Sequence, residues 1–176
     1  AIILREAERC QKVLQRLREL GQEATGRSAE PCIVWRTVEA TLDELPETQR
    51  ARVKLDLKAK EAPVACAGLR EALLVLLRNA LLASADEEKV VLRVETASEA
   101  LRFIVEDRGT GFSDEMLRHW GEPFRSTRDP GSGMGLGLFF VRRLAASMQG
   151  SVEVENLATG GARVTLTLPQ LTSAPS

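Results

Sequence analysis

No apolar run in this chain approaches the ~18 residues that crossing a bilayer requires, and no signal peptide opens it. Cysteine is scarce. Cys10, Cys32 and Cys66 are far apart, no C-x-x-C occurs, and His119 is the single histidine. That spacing argues against a disulfide framework or a zinc site and predicts a reducing, cytoplasmic setting. Lysine is missing after Lys89. Any cation serving a phosphate in the second half must therefore be an arginine, which grips oxygens with a planar fork. An excess of either charge is lacking too: the net charge of -1 offers nothing to nucleic acid or to an acidic membrane surface. There are no internal repeats.

What is present is 176 residues, 44% hydrophobic and 28% charged, the profile of a soluble globular chain with room for one domain and an appendage. Residues 1 to 21 read as a helix, with Ile3, Ala7, Cys10, Leu14 and Leu17 spaced as a coiled-coil or bundle seam, or as an amphipathic helix packed on its own domain. Residues 22 to 31 are polar, hold a glycine and close on Pro31, as a linker does. The chain opens inside its first helix, which predicts a fragment of a longer protein whose membrane part, if any, lies upstream. Residues 32 to 170 carry the main domain, and 171 to 176 a loose tail.

Within that domain the pattern predicts a strand over 32–34 and a helix over 35–45 stopped by Pro46. Val53, Leu55 and Leu57 alternate with Lys and Asp, as in a half-buried strand. A helix over ~66–84 is apolar nearly all round and belongs inside. Strands over 89–96 and 100–107 follow. Then come a short helix over 113–119 with Ser113 as its cap, a helix over 135–149 closed by Gly150, and a hairpin over 151–156 and 162–168. The mixture predicts an α+β two-layer sandwich, with a mostly antiparallel sheet and helices on one face.

Four stretches carry chemistry. Asn79 is the one uncharged polar residue on the inner helix before Ser84. An unpaired amide in an apolar interior costs a few kcal/mol, so it needs backbone or a ligand. Asp107-Arg-Gly-Thr-Gly111 follows a strand: either an Asx turn, or a carboxylate that accepts an amine proton beside glycines that let a ring approach. Gly131-Ser-Gly-Met-Gly-Leu-Gly137 places glycine at every second position and then enters a helix. It matches neither G-x-G-x-x-G nor G-x-x-x-x-G-K-[ST], which leaves a hinge or a loop whose N–H groups hold a polyphosphate. Between them, Glu122-Pro-Phe-Arg-Ser-Thr-Arg128 supplies one aromatic residue and two cations.

In that order, Asn79, Asp107 to Gly111, Phe124 and Gly131 to Gly137 resemble the N, G1, F and G2 boxes of the ATP-binding domain of two-component sensor histidine kinases. That domain sits within the wider gyrase, Hsp90, histidine kinase and MutL superfamily. The resemblance covers roughly residues 31 to 169 and implies the Bergerat-type ATP-binding fold. It implies that Asn79 binds Mg²⁺ through its carbonyl oxygen. Asp107, Gly109 and Gly111 would take adenine with help from Thr165. Phe124 would pin a lid, and Gly131, Gly133, Met134, Gly135, Leu136 and Gly137 would hold the phosphates. Arg128 stands where nitrogen-sensing kinases carry a lysine and would meet the γ-phosphate, with Arg125 as a second candidate.

The family usually has another Asn one turn before Asn79, and here that place is Val75. In gyrase-type relatives it is a water-activating acid, so Val75 argues against ATP hydrolysis of that kind, as does the short lid. Residues 1 to 21 resemble the end of the second dimerisation helix, with the acceptor histidine outside the chain; His119 lacks an acceptor's context. Glu8-Arg-Cys10 is similar to a stretch of redox-sensing members. The resemblance thus implies transfer of the γ-phosphoryl of Mg-ATP to a histidine on the absent helix, then to an aspartate of a response regulator. It also implies a homodimer through the N-terminal helix and ATP and ADP as ligands. A cytoplasmic domain, inner-membrane anchored in the full protein or not, fits it. A nucleotide-binding regulatory module without phosphotransfer is the alternative, and Val75 favours it.

Overall fold

The computed structural model describes residues 31–65, 68–123 and 135–171. The N-terminal seam, most of the linker, Phe124, Arg125, Arg128, Gly131, Gly133, Met134 and the tail beyond Leu171 lie outside them. The elements run β1 (Pro31–Ile33), α1 (Val34–Asp43), α2 (Glu47–Arg50), β2 (Val53–Leu57), β3 (Pro63–Ala65), α3 (Leu69–Ala83), β4 (Val90–Ala97) and β5 (Ala100–Glu106). They continue with α4 (Asp114–His119), α5 (Gly137–Ser147), β6 (Ser151–Asn156) and β7 (Ala162–Pro169).

Five strands form the main sheet in the order β2-β4-β5-β7-β6. β4, β5, β7 and β6 pair antiparallel, whereas β2 and β4 pair parallel. A parallel pair needs a long crossover, and the stretch through β3 and α3 supplies it. β1 and β3 form a separate antiparallel ribbon. The two-layer α+β architecture is therefore the expected one, with helices on one face of a mostly antiparallel sheet.

Alternation sorts the sheet into two faces. Leu92 and Val94 of β4, Phe103 and Val105 of β5, and Leu166 of β7 point to the helices and are buried. α3 lies over them between α1 and α5. Leu69, Leu73 and Leu77 are fully buried on it, which is why its sequence leaves so little polar surface. The other face carries charge. Asp56–Arg93 (3.0 Å), Arg93–Glu106 (3.8 Å), Glu106–Arg163 (2.7 Å) and Arg163–Glu155 (2.7 Å) run as one alternating row across all five strands.

Ser113 caps α4 as its sequence predicts, accepting the Met116 N–H. α5 ends with the Gly150 N–H donating to the Ala145 carbonyl (2.8 Å), and a Cβ on Gly150 would stand 2.2 Å from the Thr167 oxygen. Gln149 takes the left-handed conformation that ends the helix (φ 57°), and the approach of β7 is what requires glycine at 150.

Three expectations change. Pro31, assigned to the linker, already belongs to β1, because its ribbon partner Ala65 is distant in sequence. α2 and β3 are additional, each too short to leave a period. Cys32 is disulfide-bonded, against the expectation of unpaired cysteines, and its partner lies outside the described residues. Separation along the chain says nothing about separation in the fold, and the cysteine argument for a reducing setting lapses. Among the described residues, no helix is long and apolar enough to cross a membrane.

Candidate functional site

Asp107 leaves the end of β5 toward the helix layer. Its backbone N–H donates to the Ala162 carbonyl (3.0 Å), which carries the strand pairing one residue beyond Glu106. The residue is only 8% exposed. Its Oδ1 accepts from the Gly109 N–H (2.8 Å) and the Ala162 N–H (3.2 Å). An Asx turn is thus present, and β7 joins it through Ala162. Among the described residues Oδ2 has no partner. A nearly buried carboxylate with one oxygen held and the other unclaimed is suited to a hydrogen-bond donor on a ligand.

The glycines after Asp107 are required by the chain itself. A Cβ on Gly109 would stand 2.3 Å from the Ala83 carbonyl oxygen, so this loop lies directly on the last turn of α3. Ser84 completes that seat: its hydroxyl donates to the Ala80 carbonyl (3.0 Å) and accepts the Arg108 N–H (3.3 Å). Gly111 has φ +74°, and a Cβ there would meet Asn156 Oδ1 at 2.6 Å. Asn156 clamps the following residue from both sides, accepting the Phe112 N–H (2.7 Å) and donating to the Phe112 carbonyl (2.8 Å). Gly161 (φ +86°) passes so close beneath that its Cβ would stand 2.0 Å from the Asp107 carbonyl oxygen.

Asn79 lies one turn before Ala83 on α3, about 6 Å along the axis, and is half-buried. It faces the start of α5. A Cβ on Gly137 would stand 3.4 Å from Asn79 Nδ2 and 3.0 Å from Val75 Cγ1. Gly135 has φ +65° and Leu136 is the N-cap of α5, its carbonyl accepting the Phe140 N–H (2.9 Å). The inner helix, the Asp107 loop and the described end of the glycine-rich stretch therefore meet in one place. An 11-residue helix begins there, and its free N–H groups and dipole favour an anion.

Thr165 is not brought to this place. It pairs with Ile104 and Glu153, on the face that carries Arg93, Glu106 and Arg163. Asp107 is on the other face, and the β7 residue that meets its carboxylate is Ala162. Strand propensity accounts for the threonine. His119 bonds Glu122 through Nδ1 (3.1 Å), as a surface residue. Beside it, Arg142 of α5 stacks over Trp120 (5.5 Å to the ring centre). Glu71 meets Arg70 (3.5 Å). The reading from sequence missed Ser84, Asn156 and the tight role of Gly161. An Asn at a strand end and a Gly-Gly pair in a hairpin were the available signals.

Residues 66–172 match the family model described as histidine kinase-, DNA gyrase B-, and HSP90-like ATPase. The chain is 30% identical over 172 residues to the C4-dicarboxylate transport sensor protein DctS of Rhodobacter capsulatus, covering 93% of this chain and 26% of that protein. It is 34% identical over 104 residues to the sensor protein FixL of Bradyrhizobium diazoefficiens, covering 57% and 20%. The chain thus spans under a third of either relative's length. Among solved structures it is similar to full-length ShkA in complex with AMPPNP (TM-score 0.74, 24% identity, 93% of this chain and 35% of that one). The Acinetobacter baumannii histidine kinase AdeS gives TM-score 0.74 at 20% identity, over 96% and 81% of the two chains.

Proposed function

We propose that this chain, which belongs to the histidine kinase-, DNA gyrase B- and HSP90-like ATPase family, binds ATP with its base on Asp107 and its phosphates between Asn79 and the N-terminus of α5. On this reading it is the ATP-binding domain of a sensor histidine kinase that phosphorylates a histidine outside the chain, from which a response-regulator aspartate takes the phosphoryl. The observation that carries the proposal is Asp107: a nearly buried acid, one oxygen fixed by two N–H groups, the other without a protein partner among the described residues.

That free oxygen would accept from the exocyclic amine of adenine. A base carrying a carbonyl at the same place would set two acceptors against each other. Gly109 and Gly111 keep side chains away from the ring. Asn79 offers the oxygen that a hard cation prefers, and Mg²⁺, when bound there, supplies neutralisation of phosphate charge. The first N–H groups of α5 orient the polyphosphate. Arg128 or Arg125, assigned from sequence alone, would meet charge on the transferred group. The protein's contribution is positioning and electrostatics.

Titration with ATP, ADP and GTP, followed by calorimetry and melting temperature, tests the assignment. ATP and ADP should stabilise the domain and GTP should not; equal stabilisation by GTP would remove Asp107 as the base-reading group. Val75 favours a second reading, a regulatory module that binds nucleotide without phosphotransfer. Phosphorylation in trans of a chain carrying the missing helix separates the two.

A further inference from the structure

The stripe of α3 that faces the start of α5 is half amide and half hydrocarbon. Val75 and Asn79 are one turn apart and so share a helical face. Both sit against the same glycine: a Cβ on Gly137 would stand 3.0 Å from the Val75 methyl and 3.4 Å from the Asn79 amide. Val75 is only half-buried and packs against the edge of the core, so its outer side belongs to the site rather than to the interior. The next oxygen-bearing side chain along the stripe, Glu71, is a further turn away, about 12 Å from Asn79 along the axis, and is engaged by Arg70.

Mg²⁺ demands about six oxygens in near-octahedral array and gives up its water reluctantly. A valine gives it none. We infer that Val75 sets the metal dependence of this site: with Asn79 as the single side-chain oxygen on that stripe of α3 among the described residues, Mg²⁺ is held almost wholly by phosphate and water, and nucleotide binds with little need of it. Val75 acts here as a tuning residue, by withholding a ligand and by excluding water from half of the wall. The inference rests on the reading of Asn79 as the metal side chain in the proposed function.

The test is a calorimetric titration of the whole chain with AMPPNP, once with excess Mg²⁺ and once with EDTA, on wild type, V75N and V75T. Asparagine adds an oxygen at the same helical position; threonine keeps the shape of valine and adds a hydroxyl, so it reports even where asparagine disturbs packing. The ratio of Kd values without and with metal should be about threefold or less for wild type, which is under 1 kcal/mol, and about tenfold or more for V75N, with V75T between. A wild-type ratio already near tenfold overturns the inference, as does a ratio unchanged in both variants. Those failures are distinct from that of the parent reading, which would appear as no AMPPNP binding by wild type in either buffer and would take this inference with it.

Discussion

Glu106 and Asp107 are adjacent carboxylates, and the strand sends them to opposite faces of one sheet. Glu106 lies among arginines: Arg93 at 3.8 Å and Arg163 at 2.7 Å. Asp107 lies under the helix layer with two backbone N–H groups on one oxygen and no cation among its described partners. The first is paired with cations on both sides, and its exchange for a neutral group is expected to cost little. The second is satisfied on one side alone among the described residues, and the open side is where the proposed base would sit. Position relative to the sheet, rather than the kind of charge, separates scaffold from site.

The contrast can be broken most sharply at Asp107. D107N keeps an oxygen for the Gly109 and Ala162 N–H groups and replaces the free acceptor with a donor. ATP-induced stabilisation in a melting experiment should vanish, with affinity falling by tenfold or more, about 1.4 kcal/mol, while the ligand-free melting temperature moves little. A nucleotide shift equal to that of wild type removes the adenine assignment. Close behind is G161A. A side chain there meets the Asp107 carbonyl carbon and oxygen at a positive φ, and strain of roughly 2–3 kcal/mol is expected. Urea unfolding measures it; a loss under 0.5 kcal/mol would mean the hairpin moves aside easily.

N156A removes both bonds to Phe112. The pair is exposed, so a loss of about 1 kcal/mol is expected, again by urea, together with a weaker response to ATP as Gly111 loosens. Smallest is E106Q on the solvent face, within about 0.5 kcal/mol of wild type, its effect shrinking as salt is added. Hydrogen bonds that Arg163 donates to Glu106 and then to Glu155 raise its guanidinium above its ordinary value. From the cation's side that stabilisation is fully present below the unfolded pKa and is lost only as pH rises through the folded one. The working range of pH should therefore leave it untouched. An effect of E106Q on ATP affinity as large as that of D107N would dissolve the distinction between the faces.

Much of this arrangement was legible in the residues. β2 announces itself through the alternation of Val53, Leu55 and Leu57, and α3 through leucines on nearly every side. Ser113 and Gly150 mark the ends of their helices. Local pattern failed where the determinant was distant. Thr165 has the same residue type whichever face it takes, and only the pairing of β7 with β5 decides that Ala162, three residues earlier, meets Asp107. β3 is three residues long and α2 a single turn, below any period. The disulfide of Cys32 depends on where a second cysteine folds. That Val75 touches Gly137 follows from the packing of α5 on α3, which no window of sequence contains.

One rod carries both ends of the proposed site. Asn79 stands on it, and Gly109 rests on Ala83, a single turn further, tied there by the Ser84 hydroxyl. Such a rod works as a ruler. On the proposed reading, molecules would be gauged by the length that separates their heterocycle from their anionic tail, and a fragment holding only one of these would engage a single mark.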